Sequence, residues 1–117
     1  MWLFIHPIGF LSVVKKDCAS TELCVRARVF EDLHRLQDHV PGEIIERKDT
    51  DYPFRMLVDA SRFAFFVAGQ IKLINYANFK QHTSSTLGMK RADVYHDVWK
   101  ACLALEEQTW KPKWRRS

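Results

Sequence analysis

Three arginines have the spacing in this chain best suited to binding chemistry. Arg26 and Arg28 lie two positions apart in an alternating segment, and such side chains point to one face of a β-strand about 7 Å apart. Arg55 joins them if its strand lies in the same sheet with the Leu57 side turned the same way. Because guanidinium groups side by side suit a phosphate or a carboxylate, the pattern predicts an anion-binding face.

A plainer interpretation of the three arginines is that they stand in water, since charged strand faces are usually solvated surface, or that they pair with nearby carboxylates. The candidate carboxylates are Glu43, Glu46, Asp49 and Asp51. The sequence alone does not separate this interpretation from an anion-binding face.

A second group of cations closes the chain, in the basic, Trp-containing tail that we assign to residues 109–117. The tail residues that we predict to bind a partner are Lys111, Lys113, Trp114, Arg115 and Arg116. A segment that interleaves indoles with cations can stack on nucleobases, lie on an anionic membrane surface or insert into a partner groove. The alternative is a loose terminus, because chain ends are often unfixed unless they dock.

The block from Asn75 to Lys80 is a further candidate. Its two carboxamides and the Lys80 ammonium could recognise a polar ligand. The same residues are also typical of a helix C-cap followed by a turn, with Phe79 in the core.

The distribution of charge weakens the case for nucleic acid. The chain has a net charge of +4, and four of its 18 basic residues lie in the tail, which leaves 14 basic against 14 acidic residues elsewhere. A domain that binds phosphate backbones through its folded surface usually carries its basic excess there. Sequence-nonspecific nucleic-acid binding through the arginines and the tail is therefore the second hypothesis.

Recognised catalytic and cofactor motifs are missing. The sequence contains no GxGxxG, P-loop, GxSxG or HExxH pattern, and its five histidines show no metal-ligand spacing with its three cysteines. We therefore predict no metal site and no cofactor. A small metal-dependent hydrolase or nuclease that uses Asp51, Asp59 or His96 stays as an alternative. The unpaired cysteines favour a cytoplasmic protein, and no apolar run reaches the ~20 residues of a membrane span.

Hydrophobic periodicity predicts four strands and three main helices. The strands are Phe10–Lys16, Glu22–Val29, Glu43–Arg47 and Phe54–Val58, and the helices run from Glu31 to Val40, from Asp59 to Ile74 and from Met89 to Glu107. Trp2–Ile5 is interpreted as an apolar lead-in and Thr83–Thr86 as a loop. The order ββαββα predicts a two-layer α+β domain over residues 1–108, with a four-stranded, mainly antiparallel sheet, helices on one face and an extra C-terminal helix.

Several short motifs recur together in one known group of proteins. They are Met1-Trp2, Gly9-Phe10 with Ser12-Val13-Val14, Val25-Arg26-Ala27-Arg28, Asp51-Tyr52-Pro53-Phe54-Arg55, Tyr76-Ala77-Asn78-Phe79-Lys80, and Tyr95-His96 with Val98-Trp99. The chain resembles a family of small bacterial proteins of unknown function, in which Tyr usually stands at the position of Phe54. The resemblance implies a stand-alone domain and no particular chemistry.

These observations favour a non-enzymatic binding domain that acts on a macromolecular partner. A protein partner is the first hypothesis, because arginines and aromatic residues are enriched at protein interfaces. Its contact surface would be the outer sheet face and the C-terminal region. An inhibitor of a host system, of the type that phages encode, would have the same features and is a further alternative.

Overall fold

The computed structural model describes residues 1–108, which fall into two compact units. The first unit comprises Met1–Tyr76, and the second begins at Ala77. The prediction of a single domain over residues 1–108 stays a prediction.

The first unit contains one antiparallel sheet of five strands. They are β1 (Trp2–Ile5), β2 (Gly9–Val14), β3 (Glu22–Ala27), β4 (Ile44–Glu46) and β5 (Phe54–Asp59), in the spatial order β1-β2-β3-β5-β4. Every neighbouring pair is antiparallel. The α+β class and the antiparallel pairing are confirmed.

The number of strands was predicted wrongly, because Trp2–Ile5 is a strand and not a lead-in. Trp2 pairs with Ser12 and Ile5 with Gly9, so the residues between them turn the chain back on itself. The Ile8 amide donates to the Ile5 carbonyl at 2.9 Å, which closes this turn. Pro7 and Gly9 therefore mark a hairpin rather than a boundary, and the order begins βββ instead of ββ.

Two helices, α1 (Phe30–Gln37) and α2 (Ala60–Lys72), cover one face of the sheet. Helix α2 begins where the Asp59 side chain accepts a hydrogen bond from the Arg62 amide at 3.0 Å, a common N-cap arrangement. Side chains from both helices and from that sheet face form one apolar core. Its buried members are Ile8, Leu11, Val13, Val25, Ala27, Leu33, Leu36, Val40, Met56, Val58, Phe63 and Phe66.

Helix α2 packs in the core by its first half. Phe63, Phe66 and Val67 pack in the core, whereas Ile71 and Ile74 are 63% and 53% exposed. The helix ends at Lys72, two residues before the predicted end at Ile74. These two isoleucines therefore lie outside the core.

A buried ion pair holds α1 against the turn between β1 and β2. The Asp32 carboxylate accepts from the Phe10 amide at 3.0 Å and from Arg35 Nη2 at 2.6 Å, and Arg35 Nε donates to the Ile8 carbonyl at 2.8 Å. Asp32 is only 1% exposed. Gly9 has φ +134°, and a Cβ there would overlap the Asp32 carboxyl group. The sequence places glycine at the one point where the backbone must pass beside this carboxylate.

The second unit contains α3 (Phe79–Thr86), α4 (Met89–Cys102) and α5 (Ala104–Gln108). The loop predicted at Thr83–Thr86 is helical, because the Asn78 side chain caps α3 by accepting from the Gln81 amide at 2.9 Å. Gly88, with φ +99°, separates α3 from α4. Among the described residues, no helix has both the length and the apolar character needed to cross a membrane.

The last helix also differs from the prediction. A single helix from Met89 to Glu107 was predicted, whereas the chain is divided after Cys102 into α4 and α5, and the large apolar side chains of the two helices are only partly buried. Tyr95 is buried, whereas Trp99 and Leu105 are 53% and 57% exposed.

Candidate anion-binding site

The register of the sheet brings two of the predicted arginines together. Arg26 of β3 and Arg55 of β5 are directly opposite each other, and Ser12 of β2 lies opposite Arg26 on its other side. The three residues form one cross-strand row on the face opposite the apolar core. Like charges directly opposite each other destabilise a sheet, so the opposed Arg26 and Arg55 lower the stability of this one.

Exposure decreases along the three arginines, which we call the arginine face. Arg28, just beyond the end of β3, is exposed, Arg26 is half-buried, and Arg55 is only 7% exposed. Ser12, in the same row, is 1% exposed. The interpretation that all three arginines stand in water therefore does not hold for Arg55. Arg55 lies at the floor of the group, and Arg28 lies at its rim.

The arginine face makes two hydrogen bonds to protein atoms of residues 1–108 and holds two buried donor atoms without a partner. Arg26 Nη2 donates to Ser12 Oγ at 2.7 Å, and Arg28 Nη1 donates to the Asp51 backbone carbonyl at 2.9 Å. The Nε atoms of Arg26 and Arg55 are buried without a hydrogen-bond partner.

No carboxylate neutralises the arginine face within residues 1–108. The ion pair found in this part of the chain joins Arg35 to Asp32, and the acids that could have paired with the three arginines do not. A buried charge without a partner carries a large desolvation penalty. The arrangement is thus able to accept an anion that the chain itself does not supply.

Tyr52 is the residue of this site that the sequence analysis missed. The Arg26 and Arg28 guanidinium carbons lie 4.6 and 4.8 Å from the centroid of its ring, within the range of a cation–π interaction. Tyr52 is 5% exposed, so its ring holds the two arginines instead of facing solvent. The motif Asp51-Tyr52-Pro53 contained the signal, because an aromatic residue in a turn just before the Arg55 strand lies near that strand's neighbours.

Cys24 lies two residues before Arg26 in β3 and is 1% exposed. Burial raises the pKa of its thiol above the ordinary value of 9.0, although the nearby positive charges of Arg55 and Arg26 act in the opposite direction. The thiol therefore stays neutral at neutral pH and supplies no negative charge to the arginine face.

Lys80, another predicted binding residue, belongs to the second unit and is occupied there. Its ammonium nitrogen lies 2.7 Å from His96 Nδ1 and 4.7 Å from the centroid of the Trp99 ring. The His96 and Trp99 rings stack with their centroids 5.4 Å apart. A lysine that donates to Nδ1 requires the neutral imidazole to accept there, so these three side chains form a closed local cluster.

The remaining candidates from the sequence are the tail residues, Asp59 and any side chains that could hold a metal ion. The tail residues Lys111, Lys113, Trp114, Arg115 and Arg116 lie outside the described residues. Asp59 caps α2, as stated above. Across residues 1–108, no group of three or more histidine, cysteine, aspartate or glutamate side chains could hold a metal ion.

Comparisons of the chain with protein-family models, with curated proteins and with solved structures each found no match.

Proposed function

We propose that this protein is a non-catalytic binding domain whose arginine face receives an anionic side chain of another protein. One observation carries the proposal: Arg55 is 7% exposed and its Nε has no partner, beside an Arg26 whose Nε is equally unpaired. A buried and a half-buried guanidinium on opposed residues, with no counter-charge among residues 1–108, are a favourable site for an anion, because charge-assisted hydrogen bonds to both would offset their desolvation.

The depth of the site favours a protein partner over nucleic acid. The phosphates of a nucleic acid follow a continuous backbone, and exposed arginine and lysine side chains reach them most easily. Arg55 at the floor is reached by a group that projects from its own chain, as a side chain does. Tyr52, already covered by two arginines, is also not free to stack on a base.

Two hypotheses from the sequence concern the biological setting of such a domain. The resemblance to a family of small bacterial proteins implies a stand-alone domain and no particular chemistry. An inhibitor of a host system, as encoded by phages, would bind its target protein through the same face. Under either hypothesis, we propose that the arginine face is the contact surface.

A capture experiment tests the proposal. The purified chain and its variant Arg26→Ala/Arg55→Ala are immobilised and exposed to native lysate, before and after nuclease treatment. We expect the unmodified chain to retain a discrete protein that survives nuclease and is lost with the double variant. The matched control is Arg62→Ala, which removes an exposed arginine of α2 from the same unit and should retain the protein.

Two results contradict the proposal. If the double variant keeps its melting temperature and captures the same protein as the unmodified chain, the arginine face is not the contact surface. If nuclease removes the captured material and absorbance at 260 nm accompanies it, the partner is nucleic acid, which was the second hypothesis.

A further inference from the structure

We propose that the anion recognised by the arginine face is a phosphate monoester, so that the partner presents a phosphorylated side chain. This inference rests on the proposed function and names its ligand. The site consists of two unpaired guanidinium Nε donors, the Ser12 hydroxyl and the exposed Arg28.

The charge of the site exceeds what one carboxylate can neutralise. Three guanidinium groups lie on the arginine face, and within residues 1–108 no acid pairs with them. The Cys24 thiol, kept neutral by burial, adds no negative charge. A carboxylate supplies one negative charge, whereas a phosphate monoester carries about −1.5 to −2 at pH 7. The two negative charges of a phosphate dianion therefore match the two positive charges of Arg26 and Arg55.

The polar groups of the site are donors rather than acceptors. A guanidinium can present two N–H groups as a parallel pair that matches two oxygens. Ser12 Oγ already accepts from Arg26 Nη2, so its own proton remains available, and no acceptor for it lies among the described residues. A fully ionised phosphate offers three terminal oxygens that only accept. A cluster of donors without an acidic partner therefore favours a group with three accepting oxygens over a carboxylate with two.

The burial of Arg55, which is 7% exposed, also favours a monoester over a diester. The three terminal oxygens of a monoester stand at the end of a side chain, so they can approach a nearly buried guanidinium without the rest of the partner chain. A nucleic-acid phosphate is a diester with one negative charge and a sugar on each side. It has two terminal oxygens, and both sugars would have to approach the buried arginine with it.

The test uses three glycine-rich peptides that are identical except at one position, which is phosphoserine, glutamate or serine. The affinity of the purified full chain for each peptide is measured. Titration calorimetry supplies the affinities, and inorganic phosphate and sulfate at matched ionic strength serve as small probes in thermal unfolding. We expect the phosphoserine peptide to bind about tenfold or more tightly than the glutamate peptide. Phosphate should raise the melting temperature more than sulfate does.

Four variants locate the ligand. Arg55→Met should reduce phosphoserine-peptide affinity by about tenfold or more, and Arg55→Lys should restore little of it, since lysine lacks the planar fork. Ser12→Ala should reduce affinity a few-fold, as expected for one lost hydrogen bond. Arg62→Ala, the matched surface control, should leave affinity unchanged. Melting curves of each variant separate loss of binding from loss of folding.

The outcomes distinguish this inference from the function on which it rests. Equal affinity for the glutamate and phosphoserine peptides overturns the phosphate inference, while capture of a protein through the arginine face can still hold. Failure to bind phosphate or the phosphoserine peptide at millimolar concentration overturns it in the same way. A single-stranded oligonucleotide that displaces the phosphoserine peptide at equal concentration contradicts both proposals.

Discussion

Arg35 and Arg55 lie in the same unit and show two ways of placing an arginine near a protein core. Arg35 donates to the buried Asp32 carboxylate at 2.6 Å and to the Ile8 carbonyl at 2.8 Å, although its side chain is 34% exposed. Arg55 is far more buried, at 7% exposure, and its Nε has no partner. The arginine that needs a counter-charge less has one, and the arginine that needs it more does not.

This difference indicates that the charge of Arg35 stabilises the fold, whereas the charge of Arg55 serves binding. The Asp32–Arg35 pair joins α1 to the turn before β2, so its hydrogen bonds are satisfied within the fold. Removal of either partner should weaken folding. The desolvation cost of Arg55 is not offset inside residues 1–108, so its removal should assist folding and harm binding. The test of this distinction is whether the two removals change the free energy of unfolding in opposite directions.

The largest expected effect is the loss of the Asp32 carboxylate. Asp32→Ala leaves the Phe10 amide and the Arg35 guanidinium without their acceptor, and we expect a loss of about 3 kcal/mol or more in the free energy of unfolding. Urea denaturation followed by circular dichroism measures it. Glu31→Gln, at the exposed neighbouring position, is the control and should stay within about 0.5 kcal/mol. Equal effects of the two variants would show that the buried pair does not stabilise the fold.

The next largest change in stability is expected from substitution of Gly9, with Gly69 as its control. Gly9→Ala forces a side chain onto φ +134° and into the Asp32 carboxyl group, and we expect a loss of about 2 to 3 kcal/mol. Gly69→Ala is the matched control, because a Cβ there meets nothing within 4 Å in the interior of α2. That variant should gain about 0.5 to 1 kcal/mol. A tolerated Gly9→Ala would mean that the turn can move away from Asp32.

Arg55→Met should change stability in the opposite direction. Replacing an unpaired buried charge by an apolar side chain of similar length removes its desolvation cost and its repulsion from Arg26. We expect a gain of about 1 to 2 kcal/mol in phosphate-free buffer, measured by urea denaturation beside Arg62→Met, which should be nearly neutral. A loss of stability would place Arg55 with Arg35 among the structural charges.

The sequence predicted most of the sheet because alternation is a local signal. The period-two pattern around Val25 and Arg26 assigned both faces of β3, and the structure places them on those sides. The Trp2–Ile5 strand was missed because a short apolar run before Pro7 carries no alternation. Its strand character comes from pairing with β2, which is a long-range contact.

The geometry of the candidate site could be predicted only in part. Spacing put Arg26 and Arg28 on one face, and Arg55 was a conditional third member that needed the register between β3 and β5. The burial of Arg55 and the position of Tyr52 against two guanidinium groups depend on tertiary packing. Likewise, the sequence placed Asp32 near the start of a predicted helix, but its contacts with Arg35 and the Phe10 amide depend on tertiary packing.

The smallest expected effect concerns the pH dependence of stability near Cys24. Because burial raises the pKa of its thiol in the folded state, the unfolded chain loses this proton first as pH rises. The free energy of unfolding should therefore be unaffected by this group below about pH 9 and should fall above it, by up to about 1 kcal/mol near pH 9.5. The comparison of the unmodified chain with Cys24→Ala isolates this fall from that of other groups.

The same measurement links Cys24 to the arginine face. The charge of Arg55 lowers the pKa of the Cys24 thiol against the effect of burial, so Arg55→Met should raise that pKa further. The alkaline loss of stability should then continue to higher pH than in the unmodified chain, and Arg62→Met should leave it unchanged. If Arg55→Met and Arg62→Met give the same alkaline profile, the positive charge of Arg55 does not act on the thiol, and the floor of the arginine face is not where the structure places it.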